Sequence, residues 1–506
     1  MANLMSSLRN SRSARFDPGP AEFRKLGHDL VERLAGFYES LPARKVTTSK
    51  SRAEILDTLP PGGLPAEGTE ACELLAEVAP LLLDNALHNG HPRFLGYITS
   101  SGAPLGALAD MLAAAVNSNL AKWELSPIAS EIEAQTIRWI AEFVRYPVDC
   151  GGLMVSGGNM ANLHAFLAAR QAAAVGGFRE SGVRGEARRL TVYASRETHT
   201  WIEKAVEFTG LGASSIRWID TDARQRMDVA RLCAQIESDK LAGCKPFLVV
   251  ATAGTISTGV IDPIREMADV CDANGLWLHV DGAYGAPAAS LPESPDDLRA
   301  LALADSVAVD PHKWLYSPIE AACVLTKDPD ALRSTFDFQP AYYHLQAEEG
   351  APVDYYRQGL QNTRGFRALK VWLSMRNVGA NGYRESIRED IALARHLFES
   401  AGAHPDLDAV TCSLSIATFR YCPADLVGDS DAVSSYVDAL NKALLVDIQQ
   451  SGQMFISNAV VNGNYVLRAC IVNFRTTVSD IDAVVETVGR IGKSLDARMR
   501  PENLAA

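Results

Sequence analysis

Residues 305–316 read DSVAVDPHKWLY. Ser306–Val309 is short, carries β-branched Val307 and Val309, and lies between Asp305 and Asp310, which predicts a buried strand. Asp310 and Pro311 end it, because proline cannot donate to a sheet ladder and restricts the residue before it. The polar quartet Asp310-Pro311-His312-Lys313 therefore stands at a strand's carboxyl edge, where open α/β sheets place their ligand chemistry. A lysine held there, partly desolvated and near another basic group, is expected to lose its proton readily and attack a carbonyl. The plainer alternative is a solvated loop lysine, and the residues upstream have to decide.

Outward from this stretch the chain alternates. Upstream, strands are predicted at Leu153–Val155, Arg189–Tyr193, Phe247–Ala251 and Leu276–Val280, with Ala321–Leu325 following the lysine. Helices of ten or more residues fall between them, which indicates an α/β fold with a mostly parallel sheet and right-handed crossovers. Almost every polar landmark falls at the carboxyl end of a strand. Towards the N-terminus, Phe23, Leu26, Leu30, Leu34 and Phe37 predict an amphipathic helix over 20–40, and a second helix is expected around 70–85. Between them lies a linker rich in Pro, Gly, Ser and Thr. This arm, residues 1–85, holds too little apolar surface to fold alone and is expected to pack on the main body or a partner subunit. The body is expected over 86–378 and a small α+β domain over 379–506. Residues 328–359 show no periodicity, and loops this long are usually functional or mobile.

Composition narrows the function classes. With 506 residues, 47% hydrophobic and 22% charged, the chain matches an ordinary globular protein of several domains. A formal net charge of −13 argues against generic binding to nucleic acid or anionic membrane, both of which favour a basic footprint. No run of eighteen apolar residues marks a membrane span, and the N-terminal stretch lacks the apolar core of a signal peptide and reads as a frayed tail. The nine cysteines are dispersed without a C-x-x-C pair, which suits a reducing cytoplasm. No metal site is expected: His88-Asn89-Gly90-His91 reads as a turn with no third ligand nearby.

Four landmarks carry the chemistry. Ser156-Gly157-Gly158-Asn159 offers bare amides and a helix N-terminus, which suits a phosphate; Asn159 as a simple N-cap is the alternative. His199 follows a strand and is amphipathic enough to lie on a ring, or it simply starts a helix. Asp281 ends the apolar strand LWLHV and needs a positive partner or a cap. Lys313 comes 32 residues later, about one crossover away. A phosphate cradle, a ring-stacking histidine, a carboxylate for a ring nitrogen and an amine for an aldehyde together describe pyridoxal 5′-phosphate.

With HVDGAYG (279–285), DPHKW (310–314) and ATAGT (251–255) in that order, the chain resembles the group II pyridoxal-phosphate decarboxylases, aromatic-L-amino-acid decarboxylase among them. The resemblance runs from about residue 27 into the C-terminal region. It implies aminotransferase fold type I, a homodimer with swapped N-terminal helices, and Lys313 as the lysine that forms a Schiff base with the cofactor. It further implies Asp281 at the pyridine nitrogen, His199 on the ring, Gly158 and Asn159 at the phosphate, and Thr255, Ala283, Asp310 and His312 around the cofactor. In the 328–359 segment, Tyr342, with Tyr343 as the competing assignment, matches the tyrosine that protonates the substrate carbon after carbon dioxide leaves. Tyr97, Ser100 and Trp123 match pocket-wall positions, whereas Asn119, Ala121 and Lys122 depart from the apolar or aromatic residues of several relatives. The expected function is α-decarboxylation of an aromatic L-amino acid. An acidic substrate, an aldehyde synthase on the same scaffold, or a non-catalytic cofactor-binding scaffold are the alternatives. A dinucleotide fold is disfavoured because no G-x-G-x-x-G follows a strand.

Overall fold

Strands β1 (Gly151–Val155), β2 (Leu190–Ser195), β3 (Ile216–Ile219), β4 (Lys245–Thr252), β5 (Trp277–Asp281), β6 (Ser306–Val309) and β7 (Ala322–Thr326) form one sheet in the order β1-β7-β6-β5-β4-β2-β3. This is a computed structural model, and it describes residues 16–173, 178–186, 188–338, 352–426 and 430–504. All residues of β1, β2, β6 and β7 are buried, as strands covered by helices on both faces must be. Pairing is parallel from β3 through β6. β7 runs antiparallel to both β6 and β1. The reason is the connection: twelve residues, 310–321, carry the lysine turn and hold no crossover helix, so the chain can only double back. β3, with two half-buried positions at the sheet edge, escapes a reading based on apolar runs.

The helices sit where apolar periodicity places them. α1 (Pro20–Ser40) and α2 (Ala71–Asn85) make the N-terminal arm, and a short helix, Arg52–Leu56, with a Ser51/Glu54 capping box, interrupts the expected linker. Next come α3 (Pro104–Val116), α4 (Pro127–Phe143), α5 (Gly158–Ala172), α6 (Trp201–Phe208), α7 (Val229–Leu241) and α8 (Ile264–Asn274). The helix expected to stop near Asn377 does stop there: α9 (Ala368–Ala403) is two helical arms separated by non-helical Gly379 at φ 69°. A left-handed residue cannot continue a helix, and glycine takes it without the Cβ clash.

Beyond the break, β8 (Leu407–Ser413), β9 (Ile416–Tyr421), β10 (Ser457–Val461) and β11 (Asn464–Cys470) form an antiparallel sheet in the order β10-β11-β9-β8. α10 (Asp431–Ser451) and α11 (Val478–Met499) complete that region, with a core of its own that includes Leu397, Phe419, Leu440, Leu467 and Val484. The larger core lies around the seven-stranded sheet and includes Val280, Val307, Trp314 and Val324. Residues 1–15, expected as a frayed tail, lie outside the described residues, as do Tyr342 and Tyr343.

Candidate active site

Register brings the polar strand ends together. Thr252 pairs with Asp281 across β4 and β5, and Asp281 with Ala308 across β5 and β6, so Thr252, Asp281 and Asp310 emerge side by side. β1 feeds the start of α5 at Gly158, and β2 leads to the turn that carries His199 into α6. Between them opens a cleft whose lining includes Gly158, Asn159, His199, Asp281, Ala283, Asp310 and Lys313.

Lys313 Nζ lies 3.0 Å from Asp310 Oδ2, with its side chain 23% exposed. Burial alone pushes the amine's pKa down, but Asp310 and Asp281 more than reverse this and hold it above the ordinary lysine value. The expectation of an easily deprotonated lysine is thereby corrected. The basic neighbour it relied on, His312, is itself driven towards the neutral form, chiefly by burial, and the charges facing the amine are carboxylates. Asp310 is buried, and its Oδ1 has no hydrogen-bond partner among the described residues. A Cβ on Gly158 would sit 2.7 Å from Asp310 Oδ2, so glycine lets α5 begin this close to the carboxylate.

Asp281 accepts three N–H donors: Asn162 Nδ2 at 3.0 Å and Trp201 Nε1 at 2.9 Å on Oδ2, and the Ala283 amide at 3.2 Å on Oδ1. His199 Nδ1 accepts the Trp201 backbone N–H at 3.2 Å, which leaves the ring proton on Nε2. Burial lowers its pKa, so the imidazole is neutral near pH 7.

Five expected positions do not line this cleft in the chain. Thr255 is fully buried inside its loop, its hydroxyl 3.1 Å from that of Thr258; Thr252, with a buried Oγ1 that has no partner among the described residues, lines the cleft instead. His312 turns away, its Nδ1 2.7 Å from the Ala321 carbonyl and its Nε2 3.7 Å from Asp310 Oδ2. Ser100 donates to the His312 carbonyl at 2.8 Å. Tyr97 is 57% exposed and leans on Phe455, while its neighbour Ile98 reaches the cleft. Trp123 donates from its indole to Glu131 and from its backbone to Asp354.

A profile of the pyridoxal-dependent decarboxylase conserved domain matches residues 56–415. The chain belongs to that family. Its cofactor is pyridoxal phosphate, and it is a carboxy-lyase that acts on an amino acid. This decarboxylase is 33% identical over 462 residues to an aromatic-L-amino-acid decarboxylase of Bacillus atrophaeus, covering 91% of this chain and 93% of that one. It is 29% identical to tyrosine decarboxylase 4 of Petroselinum crispum, with 95% of each chain covered. It is 28% identical to phenylacetaldehyde synthase of Petunia hybrida, with 89% and 90% covered. Among solved structures, it superposes on Oryza sativa TDC with PLP and tryptamine at a TM-score of 0.87 and 27% identity, covering 95% and 99%. For Catharanthus roseus tryptophan decarboxylase in complex with L-tryptophan, the values are 0.85, 26%, 95% and 100%.

The decarboxylase site also contains residues that the sequence does not announce. Tyr284 lines the cleft, stacks on Trp314 at 4.9 Å between ring centroids and shares a 2.6 Å hydrogen bond with Ser415. Gly254, at φ 91°, leaves room for the Tyr284 ring, which a Cβ would approach to 2.7 Å. Asn162, Glu197 and Ile256 complete the wall. Tyr284 stands in the quoted HVDGAYG motif, where a polar aromatic two residues past the glycine that follows Asp281 is the available signal; Asn162 is one face-inward amide in a helix and gives none.

Proposed function

We propose that this protein removes carbon dioxide from an aromatic L-amino acid to give the amine. The observation that carries the reading is Lys313 at 3.0 Å from Asp310, lining one cleft with Asp281, His199 and the start of α5. The residues present fit pyridoxal phosphate. Gly158 and Asn159 bring the N-terminus of α5 to the cleft wall, where backbone N–H groups suit a phosphate, and Thr252 Oγ1 is a buried hydroxyl with no partner among the described residues. When bound, the cofactor supplies a carbonyl for amine condensation and an electron-poor ring that takes up the electron pair left by carbon dioxide.

In this reading Lys313 would be the amine that condenses with the cofactor's carbonyl. Asp281 would hold a proton at the ring nitrogen, His199 would lie against the ring, and Gly158 and Asn159 would bind the phosphate. Asp310 keeps Lys313 charged and aimed. Tyr342, outside the described residues, returns a proton to the substrate carbon. The aromatic preference is supported by the substrates for which the similar proteins are named. It is supported too by a lining that offers Ile98, Ile256 and Tyr284, with Lys313 as its one cation among the described residues and Glu197, Asp281 and Asp310 against an acidic side chain.

The active assembly in this reading is a homodimer in the reducing cytoplasm. α1 buries none of its residues and α2 only Ala79, and α3 exposes Leu108, Leu112 and Val116, faces that a second copy would cover. All nine cysteines are free, and among the described residues no helix is long and apolar enough to cross a membrane. The test is carbon dioxide release and product analysis over tyrosine, tryptophan, phenylalanine, DOPA, glutamate and aspartate. Amine with one carbon dioxide from the aromatic set is the expected result; release from the acidic pair alone overturns the substrate reading.

A further inference from the structure

Behind Asp281 runs a line of side chains that the reading above does not use. Trp277 Nε1 lies 2.8 Å from Ser306 Oγ, which lies 2.9 Å from His279 Nδ1. His279 Nε2 lies 2.7 Å from Asn162 Oδ1, and Asn162 Nδ2 lies 3.0 Å from Asp281 Oδ2. Ser306, His279 and Asn162 are each 2% exposed or less, and the Trp201 indole packs edge-on against His279 at 5.7 Å while donating to the same Asp281 oxygen.

The direction of every hydrogen in this line follows from its two ends. An indole N–H can only donate, so Ser306 Oγ accepts from Trp277 and turns its own hydrogen to His279 Nδ1. A carboxylate oxygen can only accept, so Asn162 presents its NH2 to Asp281 and its carbonyl to His279. The one proton of a neutral imidazole then sits on Nε2 and points at Asn162. Burial holds His279 neutral, with its pKa lowered to about 4. Each link pairs one donor with one acceptor, and every donor points towards Asp281. A chain of this kind strengthens its last bond, because each member polarises the next.

We propose that Ser306, His279 and Asn162 are positioning residues that form a one-way hydrogen-bond relay, which fixes the aim of Asp281 and restrains its basicity so that the proton stays on the cofactor's ring nitrogen. The inference rests on the assignment of Asp281 to that nitrogen. Taking donors away from a carboxylate makes it a stronger base, so breaking the relay moves the shared proton from nitrogen towards Asp281. A purely structural cluster would lower stability without moving that proton.

The experiment is nitrogen NMR of 15N-labelled pyridoxal phosphate bound to the wild type and to the His279→Leu, Asn162→Leu, His279→Gln and Asp281→Asn variants. Cofactor dissociation constants and melting temperatures of the cofactor-free forms are taken alongside. The relay predicts a protonated-nitrogen signal in the wild type. In His279→Leu and Asn162→Leu the signal shifts towards the unprotonated position and cofactor affinity falls roughly tenfold, the size expected for one charge-assisted hydrogen bond. His279→Gln, which keeps one planar donor and one acceptor, recovers part of both. Should the leucine variants not fold, Ser306→Ala removes only the relay's hydroxyl and is read on the same signal. A nitrogen signal unchanged across these variants, with only the melting temperature lowered, overturns the relay. A wild-type signal already unprotonated, or one unmoved by Asp281→Asn, overturns the assignment of Asp281 itself.

Discussion

At Lys313 two opposed effects act on one amine, and the neighbouring charges prevail over desolvation. Asp310 is the nearer of these charges, at 3.0 Å. Asp310→Asn keeps the shape and removes the charge, so the Lys313 amine should titrate at lower pH than in the wild type. The pH dependence of its labelling by an amine-directed reagent in the cofactor-free protein checks this; an unmoved midpoint would mean that Asp310 does not hold the proton. If Tyr342 returns the proton, as proposed, Tyr342→Phe should give aldehyde and ammonia with uptake of oxygen in place of amine. Product analysis by mass spectrometry decides it, and an unchanged amine yield removes Tyr342 from that role. The residues that meet in the cleft were legible as types at strand ends: Gly158, Asn159, His199, Asp281, Asp310 and Lys313 each follow a predicted strand. Ile98 and Thr252 were not, since which of two adjacent residues faces a cleft depends on a local backbone turn that periodicity does not report. Tyr97, at φ 53°, shows how one left-handed residue redirects a side chain.

Elements far apart in the chain hold the lysine turn in place. From the second arm of α9, Asp390 accepts hydrogen bonds from Trp314 Nε1 at 2.8 Å and Tyr316 Oη at 2.6 Å, on either side of the turn that follows Lys313. Burial raises the Asp390 pKa from 3.8 to about 7. The folded state therefore binds this proton more tightly than the unfolded chain, and the stabilisation is complete below the ordinary carboxylate pKa and lost as the pH climbs through about 7. Compared with Asp390→Asn, the wild type should lose stability between about pH 4 and 7, by up to about 1.4 kcal/mol per pH unit. Urea unfolding at a series of pH values tests the sign, and a difference that grows with pH contradicts it. On the other side of the site, Arg364 meets Glu133 at 2.5 Å with both side chains buried, and it also donates to the carbonyls of Leu120 and Met154. Removing one member of such a pair leaves a buried charge alone, so Glu133→Ala should cost about 3–5 kcal/mol, visible as a lower urea midpoint. Neither contact was readable in advance. The 231 positions between Glu133 and Arg364 and the 76 between Trp314 and Asp390 leave no local pattern, whereas the strand–helix alternation that predicts the sheet is local by nature.

For the whole molecule, apolar surface on α1 and α3 is the feature a single chain does not resolve. Phe23 is 56% and Leu112 53% exposed, on a protein whose net charge of −13 would otherwise keep copies apart. Phe23→Glu with Leu112→Glu should convert a dimer to monomers by light scattering and abolish decarboxylation; a dimer that persists moves the interface elsewhere. The order helix, strand pair, helix, strand pair, helix over 379–506 is legible from local periodicity, and Gly379, which separates the two arms of α9, reads locally as the break it is. The measurement that bears most directly on the central claim is borohydride reduction of the protein with pyridoxal phosphate, followed by peptide mass spectrometry, on wild type and Lys313→Ala. The account predicts the reduced cofactor fixed to Lys313 in the wild type and no aldimine absorbance in the variant. Cofactor fixed to another lysine, or an absorbance band that survives Lys313→Ala, would contradict it.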